Sequence, residues 1–236
     1  MNTQRRAVVL GATGGIGSAV ALELATDHEL WLVGRDEDRL RDCAARIVGS
    51  HLWRLDLESD DVSLVPSELG EVDVLILAAG WWRPGRVTEL SPADLRQSFA
   101  VNAIGPVQLL TALLPRFRAP YARVIALSST AVHASPRERA AYVAAKVALE
   151  SLLQAVHEEE GSRGTQITIV RPGRVSTAMH AAVRRAERAD DRPPVLEPAD
   201  FAAVVRTLIE LPSAVHVPEV VVRPALVVDS LEGVRS

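Results

Sequence analysis

The stretch that decides the fold reads AVVLGATGGIG over residues 7–17. Its first four residues form a short apolar run, which is typical of a strand buried in a parallel sheet. The glycines of a G-x-x-x-G-x-G pattern follow, and residues 18–24 have a helical composition. Strand, glycine turn and helix bring backbone N–H groups and the positive end of a helix to one point, where a pyrophosphate can bind. The alternative is a tight strand-to-helix turn without a ligand.

This motif predicts an α/β domain that binds a dinucleotide through its glycine loop. The predicted contacts in the loop are Gly11, Thr13, Gly14, Gly15, Ile16 and Gly17.

Further strand-like runs alternate with helical stretches along the rest of the chain. The later strands are predicted at 29–33, 51–57, 72–80, 123–127, 166–170 and 219–223, and the helices between them at 36–48, 91–114, around 142–156 and at 199–210. A regular β/α alternation of this length predicts one α/β domain over residues 1–236.

A second stretch, YVAAK at residues 142–146, places a phenol and an ammonium on neighbouring turns of one helix. Residues four apart on a helix share a face, so the Lys146 charge is expected near the Tyr142 oxygen. A free phenol has a pKa near ~10, and a nearby cation lowers that pKa towards neutral pH. The pair therefore predicts an acid/base site, although the same spacing occurs by chance on many surface helices.

The end of the second predicted strand indicates which dinucleotide binds. An acidic residue at this point holds a ribose 2′-hydroxyl, whereas an arginine accommodates a 2′-phosphate. Here Gly34 removes bulk and Arg35 supplies a permanent planar cation. We therefore predict NADP(H), with NAD(H) less favoured. Asp36 and Glu37 compete for this guanidinium, and the alternative role of Arg35 is to cap the following helix.

The ends of the next two strands supply further cofactor contacts. Asp56 can accept a hydrogen bond from an adenine amino group, or it can cap a helix. Ala79 and Gly80 are small enough to let a flat cofactor approach the backbone closely. We predict cofactor contacts at Asp56, Leu57, Ala79 and Gly80.

Composition narrows the classes of function. The chain has 236 residues, 48% of them hydrophobic, and a net charge of −4 with arginines scattered among acidic residues, so no nucleic-acid partner is expected. Its one cysteine, Cys43, excludes an internal disulfide and a cysteine-based zinc site, and it fits a reducing compartment. The start of the chain runs into the first strand without a long apolar region. We expect a cytoplasmic protein without membrane association or a metal.

Several loops are candidates for a substrate pocket. Trp81 and Trp82 follow the fourth strand, where they either wall a pocket, pack in the core or contact another subunit. Residues 179–198 are rich in Ala, Arg and Asp and contain paired prolines, which predicts a mobile segment that acts as a substrate lid. Its arginines alternate with acidic residues, which favours a solvated helix face over an anion site. Among the histidines only His133 falls near the proposed site.

Together these motifs resemble the classical short-chain dehydrogenase/reductase family over essentially the whole chain. The glycine loop 11–17 matches the family's glycine motif, and Asn102 matches its helix asparagine. Ser129 precedes Tyr142 by the family's usual interval, and PGRVST at 172–177 matches its Pro-Gly segment.

The resemblance implies a single Rossmann-like, doubly wound domain with a seven-stranded parallel sheet, in the order 3-2-1-4-5-6-7, flanked by helices. It also implies a homodimer or homotetramer that packs through the helices holding Asn102 and Tyr142.

The family's residue roles carry over to matching positions. Tyr142 would donate or accept the proton, and Lys146 would lower its pKa and hold the nicotinamide ribose. Ser129 would bind the substrate oxygen, and Asn102 would hold a water in a proton relay. The Pro-Gly segment would contact the nicotinamide through Pro172, Gly173, Val175 and Thr177.

Two departures bear on the cofactor loop. The chain has Leu77-Ala78-Ala79-Gly80 where the family commonly reads Asn-Asn-Ala-Gly, and Leu10 replaces a frequent threonine. The expected function is an NADP(H)-dependent oxidoreductase that interconverts a small-molecule carbonyl and an alcohol, with Tyr142 as general acid/base. The alternative is a non-catalytic nucleotide-sensing or regulatory protein on the same fold.

Overall fold

The computed structural model describes residues 4–118, 122–134, 136–184 and 194–225. Its strands are β1 (Arg5–Leu10), β2 (His28–Gly34), β3 (His51–Arg54), β4 (Val74–Leu77), β5 (Arg123–Leu127), β6 (Gln166–Pro172) and β7 (Glu219–Val222). Its helices are α1 (Gly15–Leu24), α2 (Glu37–Ala44), α3 (Pro92–Phe99), α4 (Gly105–Leu113), α5 (Ala140–Glu160), α6 (Ala178–Arg184) and α7 (Pro198–Ile209). The strands form one parallel sheet in the order β3-β2-β1-β4-β5-β6-β7, which confirms the predicted fold class.

Helices cover both faces of this sheet, because its central strands are apolar on both sides. In β1, Val8 packs on the face covered by α4 and α5, and Val9 packs on the face covered by α1, α2 and α7. Strands β4 and β5 are buried throughout. Continuous apolar runs of this kind are expected for strands that are covered on both faces.

The strand order reverses between β1 and β4, and this reversal determines where the site lies. β1 pairs with β2 on one side and with β4 on the other. The connections at the carboxyl ends of these two strands leave towards opposite sides, which opens a crevice where ligands bind in doubly wound sheets.

The predicted element ends differ from the observed ones where side chains form a turn. The third strand ends at Arg54 rather than at residue 57, because the backbone N–H of Asp56 donates to Asp60 and starts a turn. The second helix ends at Ala44 rather than at residue 48.

The predicted long helix 91–114 is interrupted by a π-helical segment at Ala100–Ile104. The N–H of Gly105 bonds the carbonyl of Ala100, five residues back, which is the π-helical pattern. Pro106 follows and offers no N–H. By length and composition alone Pro92–Arg116 could cross a membrane, but 44% of its apolar window is buried inside the domain, as expected of a helix that packs on a sheet.

Candidate active site

A cleft of about 310 Å³ lies at the carboxyl ends of β1, β2 and β4. Most residues predicted to bind the cofactor line it: Gly11, Thr13, Gly14, Gly15, Ile16, Gly17, Arg35, Asp56, Leu57, Ala79, Gly80, Tyr142, Lys146, Pro172 and Thr177. Gly173 and Val175 line a neighbouring cavity instead, and Asn102 does not line either.

The glycine loop is shaped by close backbone approaches that a side chain would block. Gly11 has a φ of +84°, and a Cβ placed on it would lie 2.7 Å from the backbone nitrogen of Ala79. A Cβ on Gly17 would lie 2.2 Å from the carbonyl oxygen of Gly11. Both positions therefore require glycine. The turn delivers the chain to the N-terminus of α1, whose first N–H groups need an external acceptor.

The two departures from the family pattern leave this loop intact. The backbone N–H of Ala78 donates to the carbonyl of Leu10 at 2.9 Å, so β1 and the end of β4 stay joined without a side-chain bond. Gly11 also lies close to the Ala78 backbone, because a Cβ on Gly11 would be 2.8 Å from the carbonyl carbon of Ala78.

Arg35 lies at the mouth of the cleft, with its side chain 59% exposed. Its Nη1 is 3.5 Å from Glu58 Oε1. The competing carboxylate is thus Glu58, not the neighbouring Asp36. Asp36 instead caps α2, where its Oδ1 accepts the N–H of Arg39 at 3.1 Å. The cap of α2 is therefore not the role of Arg35.

Arg39 is a second cation in the cleft wall that the sequence reasoning missed. Its Nη2 donates to the carbonyl of Thr13 at 2.8 Å, which ties α2 to the glycine loop. A signal was available, because Arg39 and Arg35 are four residues apart across a helix start.

Asp56 stands before a turn rather than a helix, so the predicted alternative of a helix cap is wrong, and its adenine contact stays a prediction. Its Oδ1 accepts the backbone N–H of Glu58 at 3.1 Å, so it stabilises the turn after β3. The residue also lines the cleft.

Ser129 and Tyr142 meet where this cleft joins a second cavity. Ser129 follows β5, Tyr142 lies in the first turn of α5, and both side chains line the second cavity. Burial raises the pKa of Tyr142, and the hydroxyl of Ser129 and the charge of Arg139 only partly oppose that rise. The phenol is therefore held in its protonated form at neutral pH.

Lys146 does not act on Tyr142 as the sequence predicted. Its Nζ donates to the carbonyl of Leu127 at 2.7 Å and approaches that of Ala79 at 3.5 Å. Burial lowers the pKa of Lys146 to about 8, while the negative charge of Glu150 opposes the shift. The prediction of a Tyr142 pKa lowered by Lys146 is wrong for this structure, because desolvation outweighs the spacing of the two groups.

The composition of the chain also singles out Lys146. It is the only lysine in the chain, and the other 25 of the 26 Lys and Arg residues are arginines. The position of this one lysine four residues after a tyrosine is hard to explain by coincidence.

Asn102 is fully buried in the π-helical segment and holds the loop after β4. Its Oδ1 accepts the N–H of Trp81 at 3.0 Å, and its Nδ2 donates to the carbonyls of Trp81 at 2.8 Å and Ser98 at 2.9 Å. Both amide hydrogens are thus occupied by the backbone.

The second cavity, of about 300 Å³, lies on the outer side of Tyr142. We call it the outer cavity. Its lining residues are Ile16, Trp82, Ser129, Thr130, Ala131, Ala134, Pro136, Arg139, Tyr142, Pro172, Gly173, Arg174, Val175, Thr177, Met179 and His180.

Only some of the residues predicted to form the substrate pocket line the outer cavity. Trp82 lines it, whereas Trp81 lines the cofactor cleft and His133 lines neither. Of the predicted lid 179–198, α6 supplies Met179 and His180 to the wall, while 185–193 lie outside the described residues. Sequence reasoning missed Arg139, since it belongs to no motif, whereas Arg174 lies within the PGRVST segment and His180 within the predicted lid.

No group of three or more His, Cys, Asp or Glu residues in the described ranges is arranged to hold a metal ion.

The fold and the cleft define a doubly wound α/β protein of the Rossmann-like class, with a tyrosine in the wall of its cleft. The family model for short chain dehydrogenases matches residues 5–188, and the chain belongs to this family. It is an oxidoreductase with a Rossmann-like fold.

Known proteins of similar sequence and structure agree with this assignment. An uncharacterised oxidoreductase of Staphylococcus epidermidis is 29% identical over 94% of this chain and 97% of its own. A short-chain dehydrogenase/reductase of Brucella melitensis, described as a glucose/ribitol dehydrogenase, superimposes with a TM-score of 0.85 at 26% identity, covering 93% of this chain and 95% of that one. An alcohol dehydrogenase of Thermococcus sibiricus, solved with 5-hydroxy-NADP, gives a TM-score of 0.80 at 27% identity, covering 92% and 95%.

Proposed function

We propose that this chain is an NADP(H)-dependent oxidoreductase that interconverts a ketone or aldehyde and an alcohol. One observation carries the proposal: Tyr142 lines both the cofactor cleft and the outer cavity, and Ser129 lines the outer cavity beside it. A proton donor at this junction can serve a reaction between a nucleotide in one cavity and a small molecule in the other.

The cleft fits a nicotinamide dinucleotide on structural grounds. Its glycine loop is a tight turn in which a Cβ at Gly11 or Gly17 would clash with neighbouring backbone atoms, and the loop leads into the N-terminus of α1, where backbone N–H groups can bind a phosphate. The buried hydroxyl of Ser128 faces the same cleft and has no hydrogen-bond partner among the described residues. Arg35 and Arg39 supply guanidinium groups at its outer end, which suit the 2′-phosphate of NADP. The 5-hydroxy-NADP complex of the Thermococcus sibiricus relative supports the same choice.

Each residue at the junction then has a separate role in the reaction. Nicotinamide, when bound, supplies or accepts the hydride. The Ser129 hydroxyl positions the substrate oxygen, and Tyr142 transfers a proton to or from it. The raised pKa of Tyr142 keeps the phenol protonated at neutral pH, which is the form that carbonyl reduction needs. Lys146 lines the cleft one helical turn away, where its ammonium can bind a ribose hydroxyl.

The competing function is a nucleotide sensor without catalysis. Such a protein needs the glycine loop and Arg35, but it has no use for a proton donor at the wall of a second cavity. Replacing Tyr142 therefore separates the two functions.

Tyr142→Phe is expected to lower carbonyl-dependent NADPH oxidation by about 10²-fold or more, because general acid catalysis contributes that much. NADPH binding should stay within a few-fold of the wild type, since only a hydroxyl is removed. Activity is measured against a panel of ketones and aldehydes, and binding by quenching of tryptophan fluorescence. The chain's other tyrosine provides the control variant Tyr121→Phe. Unchanged turnover in Tyr142→Phe would refute the mechanism, and no turnover by the wild type would favour the sensor.

Arg35→Ala is expected to weaken NADPH binding about tenfold or more while changing NADH binding little, because a charged hydrogen bond to the 2′-phosphate is lost. Arg39→Ala should act in the same direction. Arg41→Ala, on the same helix but outside the cleft wall, is the matched control. Parallel fluorescence titrations with NADPH and NADH measure the effect. Equal losses for both nucleotides contradict the preference for NADP(H).

A further inference from the structure

The lining of the outer cavity includes the permanently charged side chain of Arg139, and no acidic residue of the described ranges lines it. The chain as a whole is acidic, with a net charge of −4. A cation in the wall of this cavity is therefore a property of the cavity itself and does not reflect the overall charge of the protein.

Arg139 is the cation that the fold places closest to the chemistry. It is the N-cap residue of α5, three positions before Tyr142, and its charge acts on the Tyr142 phenol. Within the described ranges Arg139 forms no ion pair, so its charge is open to a ligand in the cavity.

An aromatic platform fixes the position of this guanidinium. The Cζ of Arg139 lies 5.5 Å from the ring centroid of Trp82, within the range of a cation–π contact. The Trp82 indole Nε1 donates to the carbonyl of Glu138 at 3.3 Å. Ring and guanidinium thus brace each other across the mouth of the cavity.

The backbone next to Arg139 is strained. Glu138 has a φ of +61°, and it is the one residue of the described ranges other than glycine with a positive φ. This left-handed conformation costs about 1 kcal/mol or more for a residue with a side chain. Strain of this kind is retained where the surrounding structure holds a functional geometry, here the carbonyl that binds Trp82.

We propose that the outer cavity binds a substrate bearing a carboxylate, and that Arg139 on the Trp82 ring is the residue that recognises it. The planar guanidinium matches a carboxylate with two parallel hydrogen bonds. The proposal rests on the proposed function, because it assigns the reacting carbonyl to Tyr142 and Ser129 and the carboxylate to Arg139. It names a carbonyl acid in the direction of reduction and a hydroxy acid in the reverse direction. The cavity volume of about 300 Å³ suits a small molecule.

Equilibrium binding tests the anion site without any turnover. Wild-type protein with NADP⁺ is titrated with benzoate and with benzamide, which share a shape and differ in charge, and quenching of tryptophan fluorescence is recorded. We expect benzoate to bind at least tenfold more tightly than benzamide. Arg139→Met should remove this preference, and Arg139→Lys should restore part of it, because an ammonium keeps the charge without the planar fork.

The matched control is Arg137→Met, which removes an equal charge two residues away from outside the cavity lining. It should keep the preference for benzoate. Equal binding of benzoate and benzamide by the wild type, or equal losses in Arg137→Met and Arg139→Met, overturns the proposal.

Turnover provides the second readout. The ratio of kcat/KM for phenylglyoxylate to that for its methyl ester should exceed ten in the wild type and fall at least tenfold in Arg139→Met. A general effect of Arg139 on the Tyr142 pKa changes both substrates alike and cancels in this ratio. If neither compound nor any ketone or aldehyde of the panel is reduced while benzoate is still selected, the proposed function fails and the anion site stands. If both are reduced with equal efficiency, the anion site fails and the proposed function stands.

Discussion

At the scale of single residues, burial controls the acid/base chemistry more than spacing does. The Tyr142 pKa is raised and the Lys146 pKa is lowered, and for each group desolvation is the largest cause. Both shifts favour the uncharged form. The hydrogen bond from Lys146 to the carbonyl of Leu127 directs the ammonium towards β5 rather than towards the phenol.

The pKa of Lys146 can be measured directly, because it is the only lysine in the chain. Protein labelled with ¹³C at the lysine ε-carbon should give one side-chain resonance by NMR, titrating near the value of about 8 in the folded protein without nucleotide. In urea the same resonance should titrate near ~10.4. A folded value equal to the unfolded one contradicts the desolvation account.

This depressed pKa has a consequence for stability. Between the folded and unfolded pKa values the unfolded chain binds more protons, so the free energy of unfolding should rise as pH increases from about 8 towards about 10.5. Below pH 8 Lys146 opposes folding fully. Lys146→Met should therefore be more stable than the wild type at pH 7, by up to about 3 kcal/mol, less the lost bond to Leu127. That advantage should shrink towards pH 10 in thermal unfolding scans, and an advantage that grows with pH contradicts it.

At the scale of elements, α5 carries a stripe of functional and anchoring groups. Tyr142, Lys146 and Glu150 are four residues apart and share one side of the helix. Glu150 receives two hydrogen bonds from the buried Arg171 on β6, at 2.8 and 2.7 Å. Arg171 also bonds Glu219 on β7 at 2.6 Å. These ion pairs fix α5 against the sheet just before the Pro172-Gly173 turn.

Glu150→Gln is expected to destabilise the protein by about 3 kcal/mol or more, because it leaves the buried Arg171 charge without its main partner. Glu219→Gln should cost less, since the Glu219 side chain is 43% exposed. Glu160→Gln, which breaks a surface pair with Arg163, is the control and should change stability by less than about 1 kcal/mol. Urea unfolding curves measure all three. Equal losses in the free energy of unfolding for Glu150→Gln and Glu160→Gln would contradict a larger contribution of the buried pair to stability.

At the scale of the whole molecule, apolar side chains are exposed on the helices that the family resemblance assigns to subunit contacts. Leu95 and Ile104 lie on the run from α3 to α4, and Val147 and Leu152 lie on α5. Helices α3 and α5 pack against each other, so these side chains share one region of the surface. Exposed apolar clusters of this kind are typical of interfaces.

We therefore predict that the protein is a homodimer or homotetramer in solution and that Leu152→Glu, combined with Leu95→Glu, yields smaller species. Burying two carboxylates in an apolar contact costs more than the contact provides. Sedimentation velocity measures the mass of each species. Val48→Glu changes an equally apolar but fully exposed residue outside this region, and it should leave the mass unchanged. A monomeric wild type contradicts the prediction.

Local sequence determined most of the fold. Apolar runs of strand length, the glycines at 11 and 17 and the Ser91-Pro92 helix start act within a few residues, so the β/α alternation and the glycine turn could be predicted before any contact was known. The strand order followed from the family resemblance and is confirmed. Ser129 and Tyr142 could be predicted as well, because each belongs to a motif that can be recognised in the sequence.

Only the tertiary structure decided the electrostatics of the site and the character of the outer cavity. The Lys146 ammonium bonds the carbonyl of Leu127 from another element, and Trp82 binds the carbonyl of Glu138 from a distant loop. Desolvation depends on everything that surrounds a group, so it reversed the pKa shift that helical spacing predicted for Tyr142. The same holds for Arg139, whose role follows from a ring 57 positions away in the chain. Hydrophobic periodicity is a local property of the sequence, whereas burial and charge pairing are properties of the folded molecule.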